Sequence, residues 1–343
     1  MATSTYDPCL LITNGEAFGM VGLQTDDTLA IGTPAFSRAE DAALQRANFR
    51  AKPKDRLSKE VPLEFNGCTL TLRGDTILLT QKGQGTKIEA IGNTAERAQK
   101  YMEQRACGAY IASICQPESS FDLSAAAQIQ QPADGDYTKL NRRLQWQAEN
   151  LERGLQYVPL DLATAKLVVF TDGSFANNQD LSSQLGYLIV LANEHKHSRQ
   201  DAHSRQDSIS TKCKRVTQSV LASETYGMVS GVDIAIAILT TLKMITERLG
   251  MPPIPLIVCT DSYSLYECLV KLGTTNEKRL MIDIMALRQS YERREITEIR
   301  WINGDDNPAD AFTKATPNRA LERLLSSNEL SIRVEGSVQR PGE

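Results

Sequence analysis

The chain contains no CxxC pair, and its seven cysteines are odd in number and scattered. That excludes a zinc knuckle and a disulfide framework and suits a reducing, intracellular compartment, with cytoplasm and nucleus not distinguished. Histidine is equally scarce. His195, His197 and His203 all lie in or beside one polar repeat, where no other metal-ligand type converges. No continuous apolar run approaches bilayer length; Ile234 to Leu239 is among the longest, so no membrane partner is expected. The opening MATSTYDPCLLITNG lacks a basic segment followed by an apolar one, so no signal peptide is read. Nor does one sign of charge dominate. A net charge of −4 says nothing about nucleic acid, because a metal-dependent nuclease needs local acids as well as local bases. What remains is an ordinary globular composition, 41% hydrophobic and 23% charged, over 343 residues, with room for two domains.

The first ninety residues read as short apolar strands separated by turns: CLLI, GMVGLQ, TLAIG, then a helix after Thr33-Pro34. LEFNGCTLTLRGDTILLTQ predicts strands joined at Asn66-Gly67 and Gly74-Asp75. The character changes to helices over 94–153, and a boundary falls near Val158-Pro159-Leu160. Four segments follow: 1–93, 94–160, 161–335 and a tail at 336–343. Within the third the order is β-β-β-α-β-α-α-β, with KLVVFTDGSF and QLGYLIVLAN as an antiparallel pair and 207–213 as a short edge strand. A long helix covers Gln218 to Leu249, IPLIVCT is a buried strand, and ITEIRWI is the last one. A meander followed by alternating helices and strands implies a mixed sheet with helices on both faces. The tandem HSRQDA at 197–202 and HSRQDS at 203–208 reads as a duplicated, solvated loop.

Four acids stand at the ends of these elements. Asp172 ends an apolar strand on the face of Val168 and Phe170, where a carboxylate is costly without a positive neighbour. TDGS is equally good turn chemistry. Glu224 shares a stripe with Val220, Met228 and Val232, beside Gly227, Gly231 and Ala235, which places it on the sheet-facing side near a helix start. A helix-dipole role competes, but favours exposure. Asp261 follows PLIVCT and precedes a helix, and Asp310 in NGDDNPADAFTK stands at another helix start; either would serve as an N-cap. Together the four can hold two divalent cations, since Mg²⁺ prefers oxygen ligands.

In FTDGSFANNQDLSSQLGYLIVL, KCKRVTQSVLASETYGM, TDSYSLYECL, EKRLMIDIMALRQSYERREI and WINGDDNPADAFTK the chain resembles the RNase H domain of fungal copia-type LTR retrotransposon polyproteins. These segments run in family order across most of 166–315. The resemblance implies an RNase H-like mixed five-stranded sheet flanked by helices. It carries catalytic and metal-ligand roles onto Asp172, Glu224, Asp261 and Asp310, with two Mg²⁺ ions (Mn²⁺ as substitute) and cleavage of the RNA strand of RNA–DNA hybrids. Many cellular RNases H carry a histidine in the loop before the last acid; WINGDDNPAD has none, which bears on product release and turnover. The N-terminal part is similar to the end of the same polyprotein's reverse transcriptase. GLQTDDTLAIG resembles the palm hairpin, with Asp26 and Asp27 as the metal-binding pair, although Gln24 stands where Tyr or Phe is usual. On that reading 1–93 is a truncated palm remnant lacking fingers and the third polymerase acid, and 94–160 supplies thumb or connection helices. DNA polymerase activity is not expected, and the remainder of the polyprotein is a partner.

Lys212, Lys214 and Arg215, just ahead of the Glu224 helix, are candidates for gripping nucleic-acid phosphates. Arg46, Arg50, Lys52, Lys54 and Arg56 form a second basic cluster, better read as a solvated face. Two other functional classes compete with a working nuclease. One is a catalytically silent retroelement relic that at most binds nucleic acid, which the hexapeptide duplication favours. The other, an integrase of related fold, places its Glu last, whereas here the Glu is second and an Asp ends the series.

Overall fold

The computed structural model describes the chain except residues 51, 179, 195–199, 272–274, 276 and 340–343, and at 200–207 it describes backbone alone. Residues 165–339 build a seven-stranded mixed sheet. Its strands are β1 (Ala165–Ser174), β2 (Gln184–Asn193), β3 (Gln200–Lys212), β4 (Leu256–Thr260), β5 (Glu298–Ile302), β6 (Glu329–Ser331) and β7 (Val334–Gln339). The spatial order is β6-β3-β2-β1-β4-β5-β7. The central five, β3-β2-β1-β4-β5, form an RNase H-like sheet, with β1 to β3 antiparallel and β4 and β5 parallel to β1.

β1 is central because KLVVFT is apolar on both faces, as a strand covered on both sides must be. Leu167 and Val169 face helix α1 (Val220–Leu249), whose Met228, Val232, Ala235 and Ile238 complete that core. Val168 and Phe170 face the opposite core, built with Phe312, Leu321 and Leu324 from the 3-10 turn Pro308–Phe312 and a last helix, Ala320–Ser327. α1 is long and apolar enough to cross a membrane by length and composition, but one stripe of it lies on β1 and β2. Ser219 caps its start by accepting the Ala222 N–H, and Gly250 ends it at φ 65°. Helices α2 (Tyr263–Val270) and α3 (Leu280–Glu292) add Leu265, Ile284 and Leu287 to the α1 side.

Several expectations differ from the structure. ITEIRWI is not the last strand: β7, which includes residues 336–339 of the expected tail, pairs antiparallel with β5 from Glu298↔Gln339 to Ile302↔Val334. The pairing is anchored by Asp306, which accepts from the Arg333 backbone N–H at 2.9 Å and its Nε at 2.8 Å. β3 is longer than expected, running from Gln200 to Lys212; β6 pairs only with its Gln200–Ala202 end, so among the described residues the expected edge stretch from Asp207 to Lys212 pairs with β2 alone. Backbone 200–208 of the hexapeptide repeat runs in β3 rather than in a loop, paired with β2 from Leu188 to Asn193. Polar side chains do not prevent this, because the open edge of β2 supplies the hydrogen bonds. His195 and His197, and the His203 side chain, lie outside the described residues.

Two small antiparallel sheets precede this unit. Ala2–Thr3, Leu10–Ile12, Gly19–Gln24 and Asp27–Gly32 form the first, followed by the expected helix Pro34–Arg46, which Thr33 caps. Ser4 and Thr5 join it to α1 through Thr241 and Thr240 at 2.7 and 2.5 Å. The second contains Leu63–Phe65, Cys68–Arg73 and Thr76–Gln81, turning at Asn66-Gly67 and Gly74-Asp75 as the sequence predicts. Its fourth strand, Leu155–Tyr157, returns after the helices Arg97–Ile114, Ser120–Ala127 and Asp134–Glu149 and pairs with Thr76–Gln81. One sheet thus takes strands from both sides of residue 93.

The close approach of α1 to β1 is strict. A Cβ on Gly173 would stand 2.4 Å from the Ser223 carbonyl. Gly173→Ala should cost roughly 1–3 kcal/mol as an overpacking change. Urea denaturation checks this, and an unshifted midpoint would contradict the packing described.

Candidate active site

β1 and β4 run parallel in register, with Thr171 opposite Thr260. Asp172 and Asp261 are each one residue further on, so they leave the same end of adjacent strands. That end is also where the chain order reverses, since β2 lies on one side of β1 and β4 on the other. Open α/β sheets characteristically place ligand sites at such a point. α1 starts over this end, and two contacts fix its depth. The Ser223 hydroxyl donates to the Gly173 carbonyl at 3.1 Å, and Gly227 passes so near that a Cβ would meet the Asp172 carbonyl at 2.8 Å. Glu224 is thereby pressed against the strand ends.

Carboxylate oxygens of Asp172, Glu224 and Asp261 all lie within 4.8 Å of one another. The simpler roles open to each acid in sequence are not taken. Asp172 sits within β1 opposite Gly186, not in a turn. Asp261 does not cap α2, because Ser262 does so by accepting the Leu265 N–H. Glu224 is 7% exposed, hence not a solvated helix-dipole acid. Asp310 is placed differently. It lies in the turn Pro308–Phe312, which Asn307 caps, and both its oxygens are engaged: Oδ1 by the Lys314 ammonium, Oδ2 by the Asn318 N–H at 2.7 Å. Sequence reasoning expected four acids on one patch; three converge, and the fourth adjoins them through Lys314, whose Nζ is 3.9 Å from Asp172 Oδ1.

The crowding shows in the acidities. Burial pushes Asp172 above the ordinary aspartate range, against the pull of Lys314 and a hydrogen bond from the Thr313 hydroxyl. Burial, then the charges of Asp172 and Asp261, hold Glu224 well above its usual value. Burial and Asp172 raise Asp261 to about 6. Burial works against the charge of Lys314, yet Asp172 and Asp310 outweigh it and keep the ammonium protonated.

Lys314, Thr313 and Asn307 were not singled out from the sequence. The available signal for Lys314 was a base four residues after Asp310, within helical reach of it. Asn307 donates to the Thr171 carbonyl at 3.0 Å, tying the turn to β1. With Asp172, Glu224 and Asp261, Lys314 lines a cleft of about 530 Å³.

The cluster fits a hard divalent cation. Its donors are all carboxylate oxygens, and Glu224 Oε2 and Asp261 Oδ1 are buried without a hydrogen-bond partner among the described residues. The proposed phosphate-gripping bases are less free than the sequence suggests. Lys212 pairs with Asp180, and Arg215 pairs with Asp283 at 3.0 Å while covering the Tyr226 ring; Lys214 is exposed. Lys54 of the second basic cluster pairs with Glu40 and Asp41. Asp26 and Asp27 occupy an exposed hairpin tip, and no third acid joins them among the described residues.

No protein-family model and no curated protein matches the chain. Solved structures do. RNase H1 from the halophilic archaeon Halobacterium salinarum aligns at 14% identity and TM-score 0.30, over 46% of this chain and 98% of its own. LC11-RNase H1, solved with an RNA/DNA hybrid, aligns at 16% and 0.32, over 46% and 99%. The protease–reverse transcriptase of prototype foamy virus aligns at 18% and 0.24, over 41% of this chain and 18% of its own. Scores this low add no weight to the strand order and site geometry described above.

In metal-free buffer the raised acids make stability depend on pH. The folded chain holds these protons more tightly than the unfolded chain, so protonation favours folding. That contribution is complete below the ordinary value of 3.8 and is lost as pH rises through about 6 for Asp261. Melting temperature in EDTA should fall across that interval. Asp261→Asn should flatten the fall and melt higher at neutral pH. An identical pH profile for the variant would contradict the crowding.

Proposed function

We propose that this chain hydrolyses the RNA strand of RNA–DNA hybrids with divalent cations, Mg²⁺ or Mn²⁺, as the RNase H part of a copia-type retrotransposon reverse transcriptase. The observation that carries the reading is the convergence of Asp172, Glu224 and Asp261 at the switch point of an RNase H-like sheet, with two buried oxygens lacking partners among the described residues. Asp172, Glu224 and Asp261 would hold the metal, with Asp310 completing a second position. Bound there, the cations would supply activation of the attacking water and stabilisation of the leaving 3′ oxygen.

The chain's own residues set the geometry. Thr313 fixes the Asp172 carboxylate by donating its hydroxyl to Oδ2, and Asn307 holds the Asp310 turn on β1. Lys214 offers an exposed ammonium for the phosphate backbone. A second reading, a silent relic that only binds nucleic acid, is favoured by one observation: both Asp310 oxygens are already engaged within the chain. The family motifs extend the proposal to the N-terminal sheet as a palm remnant, with Asp26 and Asp27 as its acids. Two exposed acids without a third do not make a polymerase site, so DNA synthesis is not expected.

Purified chain should cut a labelled hybrid with Mg²⁺ and not in EDTA. Asp172→Asn should reduce the rate on the order of a thousandfold or more, as loss of several kcal/mol of charge stabilisation implies. Asp305→Asn, whose side chain is 83% exposed, serves as the mild control. Asp306→Asn does not, because Asp306 is buried on Arg333. Hybrid binding without cleavage would establish the relic.

A further inference from the structure

Lys314 stands where a cation belongs. Its ammonium is bonded to Asp310 Oδ1 and lies 3.9 Å from Asp172 Oδ1, at the seam between Asp310 and the three-acid cluster. Among the residues lining the cleft it is the one base. Its side chain is 43% exposed, while Asp172 and Asp310 beneath it are 4% and 7% exposed. The stem therefore reaches in from the rim, and rotation about its own bonds is enough to return the charge to water. Asp310 has no such freedom. Its Oδ2 is held by the Asn318 N–H, and Asn318 also donates to the Gly304 and Asn307 carbonyls at 2.7 and 2.9 Å.

We propose that Lys314 is a tethered counter-ion that competes with the second divalent cation for Asp310 and Asp172, so that metal loading expels it from the cleft. The inference rests on the metal site proposed above. Two like charges cannot share the edge of one carboxylate pair, and a dication at a few ångströms displaces a monocation that has water to go to. The arrangement gives the two metal positions unequal character. The pocket of Asp172, Glu224 and Asp261 has oxygens without partners among the described residues and fills first. The Asp310 side opens only when Lys314 leaves. Lys314 is thus a positioning residue, holding Asp310 and Asp172 in place before metal arrives.

Mn²⁺ titration of the full chain, followed by calorimetry, tests this. The wild-type chain should bind one ion tightly and a second more weakly. Lys314→Met, which keeps the stem and removes the charge, should tighten the second step about tenfold or more. Lys314→Arg, which keeps the charge, should stay near wild type. Acetylation footprinting of the unaltered chain provides a readout independent of the variants. Labelling at Lys314, normalised to exposed Lys214, should rise severalfold between EDTA and Mn²⁺. Equal second-step affinity in wild type and Lys314→Met, or unchanged labelling at Lys314, overturns the role of Lys314 while leaving the metal site standing. No Mn²⁺ binding by either chain overturns the metal site and this inference together.

Discussion

Carboxylates crowded within a few ångströms repel one another, and burial penalises each charge further. A fold keeps Asp172, Glu224 and Asp261 together only by making separation costlier than proximity. Here the means is backbone contact. Parallel register fixes Asp172 beside Asp261, and the glycine-lined approach of α1 to β1 drives Glu224 onto them. The two apolar cores on either face of the sheet supply the stability that this arrangement spends. Raised acidities and partnerless oxygens are then consequences of one geometry.

Charge balance explains the rest of the site. With a single cation lining the cleft among the described residues, Asp172, Glu224 and Asp261 crowd around Lys314 with their acidities raised by burial and by one another. The turn that carries Asp310 and Lys314 is held on both sides, by Asn307 to β1 and by Asn318 to its own carbonyls. Rigid acids and one long, half-exposed base make a site in which the base is the element free to rearrange.

Much of this was legible in the sequence because it depends on local pattern. KLVVFT and PLIVCT read as strands, and the four-residue stripe through Val220, Glu224, Met228 and Val232 put Glu224 on the packed face. Asn66-Gly67 and Gly74-Asp75 marked hairpins through their conformational demands. What escaped depends on pairing between distant segments. Nothing local in VEGSVQ indicates a strand, since β7 exists because β5 offers an edge and Asp306 clamps Arg333. Leu155–Tyr157 pairs with Thr76–Gln81, a strand that ends some seventy residues earlier, so one sheet spans residue 93. The second hexapeptide copy looked like a loop because its side chains are polar, yet β2 decides its backbone. Lys314 was hidden in a motif read for its aspartate, its four-residue spacing from Asp310 being the one local sign of the pair.

We propose that the three-acid cluster on the RNase H-like sheet holds a divalent cation. Anomalous diffraction from crystals of the chain grown with Mn²⁺ tests it most directly. The account predicts a manganese peak bounded by Asp172, Glu224 and Asp261, with the Lys314 ammonium turned toward solvent wherever a second peak reaches Asp310. A map with no manganese at the cluster, and Lys314 still seated between Asp310 and Asp172 at saturating metal, would contradict it.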